Sequence, residues 1–296
     1  MVTRRCTQRQ YLLRPDRETN NAVIYCLAVA AQRCKVDIIL FTQMSNHVHY
    51  AIYDRWGNAP AFYEHFHKLL AKCMNALRGR WENFFASEQV CVVRLDTQAD
   101  LIKRLVYIAA NPVKAGLVSK VSDWPGTHGY YALLEGKSLR ATRPKHFFAA
   151  DGTMPEEVTL EMNLPPELGA KAEILEEVRE RVAEVERSEA RRCSEKGQRV
   201  LGRDAVLRQS WCDSPMTREP RRQLRPTFAA RTFWAFVEAA QRKHEFTEAY
   251  RQARQERLAG KDAIFPFGTY WLRRFVGVAI ANAETTTTTD EPEKLN

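Results

Sequence analysis

The beginning of the chain alternates between the two-residue period of strands and the longer period of helices. Residues 3–13 (TRRCTQRQYLL) alternate as a strand does, and residues 36–43 (VDIILFTQ) form a short apolar run that predicts a buried strand. Between them, residues 17–34 have apolar positions at helical spacing, namely Ile24, Leu27, Ala28 and Ala31. The chain therefore opens with a predicted strand, helix and strand.

The same alternation continues to residue 110. Ser45 and Asn46 form a predicted turn, after which residues 47–54 alternate as a further strand. Three more elements are expected: a helix over 59–85, a strand over 89–95 and a helix over 98–110 that opens with the capping pattern Thr97-x-x-Asp100. The order βαββαβα packs most simply as a ferredoxin-like α+β sandwich, with an antiparallel sheet, helices on one face and the other face open.

The composition changes near residue 150. Residues 154–169 (MPEEVTLEMNLPPELG) are rich in Pro and Glu and have the character of a linker. A helix is predicted over 170–190, with one apolar side made of Ile174, Leu175, Val178, Val182 and Val185. We therefore divide the chain into residues 1–150, an acidic linker and helix at 151–186, a basic and mostly helical extension at 187–281, and a tail at 282–296 that is expected to be disordered.

Composition places the chain in the cytoplasm. No apolar run approaches the ~20 residues that a membrane span needs, and the first residues lack the apolar core of a signal peptide. The seven cysteines are scattered and include no C-x-x-C pair, which disfavours a disulfide framework or a zinc cluster and fits a reducing compartment.

The net charge of +9 is unevenly distributed. Residues 1–150 carry 21 Lys and Arg against 11 Asp and Glu, and residues 187–261 carry 18 against 9. The intervening residues 151–186 carry 3 against 11, so an acidic block separates two basic ones. Basic blocks attract polyanions such as nucleic acids, although an ordinary solvated surface can also be basic.

The first segment with candidate chemistry is residues 44–52 (MSNHVHYAI). On a strand, His47 and His49 point to the same face, and two neighbouring imidazoles make half of a metal site. The alternative is a pair of exposed strand histidines. His65 and His67 have the same spacing, but they lie in a helical pattern that directs them about 200° apart, and we interpret them as helix surface.

The second segment is residues 101–118 (LIKRLVYIAANPVKAGLV). Leu101, Leu105 and Ile108 form its predicted buried stripe. A polar row on the flank of the same helix consists of Lys103, Tyr107 and Asn111. Taken singly, Asn111 could be a cap before Pro112, and Tyr107 a partly buried aromatic residue.

Together these segments resemble the HUH-type single-tyrosine transposases, in particular the branch of REP-associated tyrosine transposases and their insertion-sequence relatives. The matching pieces lie within residues 1–135: TRRCTQRQYLLRP, MSNHVHYAI, YIAANPVKAGLV and DWPGTHGYY. A basic extension ending in FPFGTYWLRRF is also similar to members of this branch. The resemblance implies that residues 1–150 form a catalytic domain with the HUH nuclease fold.

The resemblance also implies an activity. His47, His49 and Asn111 match the residues that hold a divalent cation, Mg²⁺ or Mn²⁺, and Tyr107 matches the nucleophile. Such an enzyme cleaves and rejoins single-stranded DNA near hairpins through a 5′-phosphotyrosine bond, without a nucleotide cofactor. Because a tyrosine hydroxyl has a pKa near ~10, a metal ion or a base must help to remove its proton.

The implied partner is single-stranded or hairpin DNA, bound by a nucleoid-associated monomer or homodimer. Basic residues would contact phosphates and an aromatic residue would stack on unpaired bases. The weak candidates for these contacts are Arg4, Arg5, Arg9, Arg78, Arg80, Trp81 and Lys103. Lys103 could instead assist Tyr107 or be an ordinary solvated lysine.

Rival enzyme classes lack their motifs. A histidine-triad hydrolase needs a third histidine at position 51, which is Ala51, and a two-histidine phosphoesterase needs two H-x-T/S motifs, which this sequence does not contain. One alternative stays open, namely a domesticated relative that binds DNA hairpins or acts as a repressor without cutting DNA. The role of the extension also stays open, since it could contact DNA, contact another subunit or cover the active site.

Overall fold

A computed structural model describes residues 1–88, 90–217, 228–230 and 232–281. The tail predicted to be disordered lies outside these residues. The central antiparallel sheet has four strands in the order β2-β3-β1-β4. Its strands are β1 (Val2–Arg5), β2 (Asp37–Met44), β3 (His47–Tyr53) and β4 (Cys91–Val92). The protein is therefore an α+β structure built on a small antiparallel sheet, as the sequence predicts.

The strands β2 and β3 form a hairpin around the predicted turn at Ser45 and Asn46. The predicted N-terminal strand over 3–13 is too long, because β1 ends at Arg5. It is followed by a turn in which Gln8 and Arg9 have positive φ angles of 49° and 59°, a conformation that cannot continue a strand. The predicted strand over 89–95 is two short strands, β4 and β5 (Arg94–Leu95).

Two helices cover one face of this sheet. They are α1 (Arg17–Cys34) and α2 (Ala59–Arg78). The Asp16 side chain accepts a hydrogen bond from the Thr19 amide and caps α1. The α2 helix ends earlier than the predicted residue 85, because Gly79 adopts a left-handed conformation with φ 62° that terminates it. The Tyr50 ring of β3 packs among α2 aromatic rings on this face.

The opposite face is also covered, which corrects the expectation of an open face. It carries α3 (Gln98–Ala109). The Tyr107 ring of this helix contacts His49, which is adjacent to Tyr50 in β3 and therefore points to the opposite face of the sheet. The predicted stripe of Leu101, Leu105 and Ile108 is buried. Three β2 residues on this face are uncharged and buried, namely Leu40, Thr42 and Met44. The sheet therefore needs an element that covers it on this side.

The predicted linker over 154–169 is instead structured. It contains β7 (Glu157–Glu161), which pairs antiparallel with β6 (Ser138–Thr142) and buries Val158 and Leu160. The alternation of these apolar residues with Glu and Thr is a strand signal that the flanking prolines obscured. The hairpin packs against α1.

The next helix is α6 (Lys171–Glu195), which is longer than the predicted 170–190 and runs across the proposed division between residues 186 and 187. Four of its predicted apolar residues are buried: Ile174, Leu175, Val178 and Val182. It packs on α3 and on α4 (Asn111–Lys114). The acidic segment thus helps to hold the layer that carries Tyr107.

The remaining elements are short apart from one long helix. They are α5 (Tyr130–Glu135), α7 (Arg203–Arg208), β8 (Phe228–Ala229), α8 (Phe233–Leu258), β9 (Ile264–Phe265), α9 (Tyr270–Val276) and β10 (Ala279–Ile280). A small second core forms around Phe265 with Ala253 and Val278. No helix among the described residues is both long and apolar enough to cross a membrane.

Candidate functional site

The face beneath α3 brings together the two histidines of β3. The ring centroids of His47 and His49 are 4.5 Å apart, with the rings nearly perpendicular at 81°. On β1, Arg5 lies opposite His47 and Thr3 lies opposite His49. Directly paired residues of antiparallel strands share a face, so β1 contributes one cation and one hydroxyl beside the histidines.

Asn46 orients the first of these imidazoles. The Nδ1 atom of His47 lies 2.6 Å from the Asn46 side-chain oxygen. An amide oxygen only accepts hydrogen bonds, so Nδ1 must carry the proton and donate it. In the neutral ring, Nε2 then has the lone pair that a metal ion needs.

Thr3 orients the second imidazole. The Nδ1 atom of His49 lies 2.8 Å from the Thr3 hydroxyl oxygen, and the His49 residue is only 4% exposed. With Nδ1 engaged by the hydroxyl, a metal ion would bind His49 through Nε2. Metal-binding histidines commonly have their second ring nitrogen held by such a hydrogen bond. Sequence reasoning missed Thr3 and Asn46, although Asn46 is adjacent to His47.

Tyr107 completes the cluster from α3. Its ring centroid is 5.2 Å from that of His49, and the two rings are nearly perpendicular at 78°. The residue is half-buried, whereas its neighbour Ile108 is fully buried and anchors the helix. The tyrosine predicted as nucleophile and the histidines predicted as metal ligands therefore meet on one face.

One cation beside the tyrosine ring was missed by sequence reasoning. The Nζ atom of Lys114 lies 5.9 Å from the Tyr107 ring centroid. Lys103, the predicted neighbour on the helix row, is an exposed residue one turn earlier. Lys114 reaches the ring because the chain turns after α3 and begins the short helix α4.

Asn111 does not lie on the same continuous helix as Tyr107, which corrects the predicted row. The α3 helix ends at Ala109, and Asn111 is the first residue of α4. Pro112 explains the break, since it lacks the N–H that would bond the Ile108 carbonyl in an unbroken helix. Asn111 is 8% exposed, and its backbone carbonyl accepts from the Ala115 amide.

Arg78 is a structural residue. Its side chain is 7% exposed, pairs with Asp16 at 2.9 Å and donates to the Thr19 hydroxyl at 2.7 Å. It thereby links the end of α2 to the cap of α1. We withdraw it from the candidates for DNA contact.

The other candidate contacts differ in their surroundings. Arg4 points to the face opposite the histidines, where its guanidinium lies over the Phe85 ring and donates to the Glu88 carbonyl. Arg9 donates to the hydroxyl and carbonyl of Thr217. Arg80 is half-buried, and Trp81 is 88% exposed. Arg5 is thus the candidate on the histidine face, and Trp81 is the candidate with an open ring.

The helical pair His65 and His67, which has the same spacing as His47 and His49, is not ordinary helix surface. His67 is buried, and its Nε2 atom lies 2.9 Å from the Tyr50 hydroxyl. Burial, with a smaller contribution from the charge of Arg4, lowers the pKa of His67 to about 3. It is a neutral core residue that braces α2 against β3, on the face away from Tyr107.

The chemistry of the donors, rather than a preformed cage, suits a divalent cation. Within the described ranges, no three His, Cys, Asp or Glu side chains are grouped to hold a metal ion. A centre here would therefore combine the Nε2 atoms of His47 and His49 with the Asn111 amide oxygen and with oxygens of water or substrate. Two imidazoles with one oxygen ligand favour Mn²⁺ over the harder Mg²⁺.

Comparisons with family models, curated proteins and solved structures found no match for this chain.

Proposed function

We propose that this chain is a metal-dependent nuclease and strand transferase of the HUH single-tyrosine type, acting on single-stranded DNA near hairpins. The observation that carries the proposal is the meeting of His47, His49 and Tyr107 on one face of the sheet. The antiparallel sheet with the two histidines on an inner strand is compatible with the HUH nuclease fold. Such a protein would act in the cytoplasm at the nucleoid.

Tyr107 is the proposed nucleophile. Its phenolate oxygen would form a bond to the phosphorus of the scissile phosphate, and the bond from phosphorus to the 3′-oxygen of the preceding nucleotide would break. The tyrosine proton passes to solvent, and the departing 3′-oxygen takes up a proton. One phosphodiester replaces another, so the step needs no nucleotide cofactor and is reversible towards a different 3′-hydroxyl.

His47 and His49 would hold the cation through Nε2, with the Asn111 amide oxygen as the third ligand from the chain. When bound, such a cation would polarise the scissile phosphate and stabilise the charge that develops on it. The hydrogen bonds that join His47 to Asn46 and His49 to Thr3 support this role, since they orient both rings, and the first also places the proton of His47 on Nδ1.

Cations of the chain itself would assist the same step. Lys114 lies beside the Tyr107 ring, where its ammonium is placed to meet a phosphate of the bound strand. Arg5 lies across from His47 and is suited to contact a phosphate next to the scissile one. Trp81, with its exposed indole, is suited to stack on an unpaired base.

The deciding experiment is incubation with a hairpin-bearing single strand and Mn²⁺, followed by denaturing electrophoresis. A protein–DNA adduct that survives denaturant and contains Tyr107 in its linked peptide would support the proposal. Hairpin binding without any adduct, at saturating Mn²⁺, would instead favour a protein that binds or represses without cutting.

A further inference from the structure

The last helix of the described chain presents aromatic rings to solvent. Trp271 and Phe275, one turn apart on α9, are 59% and 55% exposed, and their ring centroids are 5.1 Å apart. Phe267, just before the helix, is 63% exposed. We call these three rings, together with Arg273 and Arg274, the α9 patch. Large apolar rings grouped on a surface indicate a binding site.

The charge of the α9 patch is one-sided. Residues 263–281 contain Arg273 and Arg274 and no Asp or Glu. The Arg274 guanidinium lies 5.6 Å from the Phe275 ring centroid and 6.0 Å from that of Tyr270, and it also donates to the Tyr270 hydroxyl. Arginine and aromatic rings thus form a single mixed surface, in which a ring can receive a base while a guanidinium meets a phosphate.

We propose that the α9 patch binds single-stranded DNA, with bases stacked on Trp271 and Phe275 and phosphates held by Arg273 and Arg274. Rings with exposed faces suit bases of any sequence, and the excess of arginine over carboxylate within residues 263–281 suits a polyanion. The inference rests on the proposed function only in taking the nucleic acid to be DNA.

A second copy of the chain is a poorer occupant. Pairing about a two-fold axis would bring the α9 patch against itself, so that Arg273 and Arg274 of both copies face one another. Four like charges in one interface, with no carboxylate in residues 263–281 to offset them, oppose this association.

The test measures binding of a fluorescein-labelled oligo-dT of about 12 nucleotides to the full chain by anisotropy, in EDTA so that no metal-dependent cutting occurs. We expect Trp271→Leu to weaken binding about fivefold or more, while Trp271→Phe, which keeps an aromatic face, stays within about twofold of wild type. Arg273→Ala with Arg274→Ala should reduce the slope of log affinity against log salt by about 1.4. Because leucine and phenylalanine are both apolar and smaller than tryptophan, Trp271→Phe is the matched control for the loss of the aromatic face.

Two results would overturn the inference. One is equal oligo-dT affinity for Trp271→Leu and wild type. The other would come from light scattering: wild type is a dimer, and the arginine double variant or Trp271→Leu is a monomer with unchanged oligo-dT affinity. That result would make the α9 patch a self-association surface. Adduct formation, measured separately with Mn²⁺ and a hairpin strand, tests the proposed function, so each can fail without the other.

Discussion

The hydroxyl oxygen of Thr3 lies 2.8 Å from Nδ1 of His49, across the pairing of β1 with β3. The hydrogen bond gives β1 a part in the candidate site beyond completing the sheet, because it orients the imidazole that lies against Tyr107. A side chain that holds a metal-binding histidine affects metal affinity without touching the metal.

We therefore predict that Thr3→Val raises the Mn²⁺ concentration needed for cleavage by about 10-fold or more, because valine keeps the shape and removes the hydrogen bond. A Mn²⁺ titration of adduct formation measures the effect. Thr3→Ser keeps the hydroxyl and is the control, expected to match wild type closely. Identical titrations for all three proteins would show that the hydrogen bond has no functional role.

Tyr107→Phe should abolish the covalent adduct and leave the affinity for hairpin DNA within about twofold of wild type, because only a hydroxyl is removed. The adduct is measured on denaturing gels and the affinity by anisotropy. If the adduct persists, the nucleophile is elsewhere, and Tyr131 becomes the first alternative because it is partly exposed. Its neighbour Tyr130 is buried, and burial raises the pKa of that hydroxyl to about 12.

His47→Ala and His49→Ala should each weaken cleavage and its dependence on Mn²⁺ together, because both imidazoles are proposed to hold one ion. His65→Ala is the matched control and should alter neither. If His65→Ala abolished cleavage while His47→Ala and His49→Ala did not, the proposed metal site would be wrong.

His67 should contribute to the acid sensitivity of the fold. Its pKa is lowered to about 3 in the folded state, against ~6.5 for an unfolded histidine. Below pH ~6.5 the unfolded chain binds a proton that folded His67 does not, so its contribution to stability is complete above this pH and is lost as pH falls towards 3.

The measurement is the unfolding temperature of wild type and His67→Gln from pH 7 to pH 4. The variant should unfold at a lower temperature at pH 7, because it disturbs a buried contact with Tyr50, but its unfolding temperature should fall less with acid. Parallel pH profiles for the two proteins would rule out this role for His67.

These residues also show what the sequence can predict. The β2–β3 hairpin and the buried stripe of α3 follow from local periodicity, so His47, His49 and Tyr107 could be found as candidates. Thr3 and His67 could not be assigned, because their contacts depend on the register of β1 with β3 and on the packing of α2 against Tyr50. Lys114 was missed because its approach to Tyr107 requires the helix to break before Pro112.

Asn111 separates a structural role from a functional one. As the first residue of a short, buried helix it could serve only to start α4, in which case Asn111→Ala would cost about 1 kcal/mol of stability and leave the metal requirement unchanged. As a third ligand it supplies an amide oxygen, so the same change should raise the Mn²⁺ concentration needed for cleavage.

Aspartate distinguishes these roles more sharply than alanine. Asn111→Asp keeps an oxygen at the same reach and adds a negative charge, so a ligand at this position should keep or strengthen Mn²⁺ binding and improve the use of Mg²⁺, which prefers oxygen ligands. We expect the Mn²⁺ concentration needed for cleavage to be highest for Asn111→Ala and lowest for Asn111→Asp. The unfolding temperature of each variant is measured alongside. Superimposable metal titrations for wild type and both variants would leave Asn111 with the structural role alone, and the cation with only His47 and His49 from the chain.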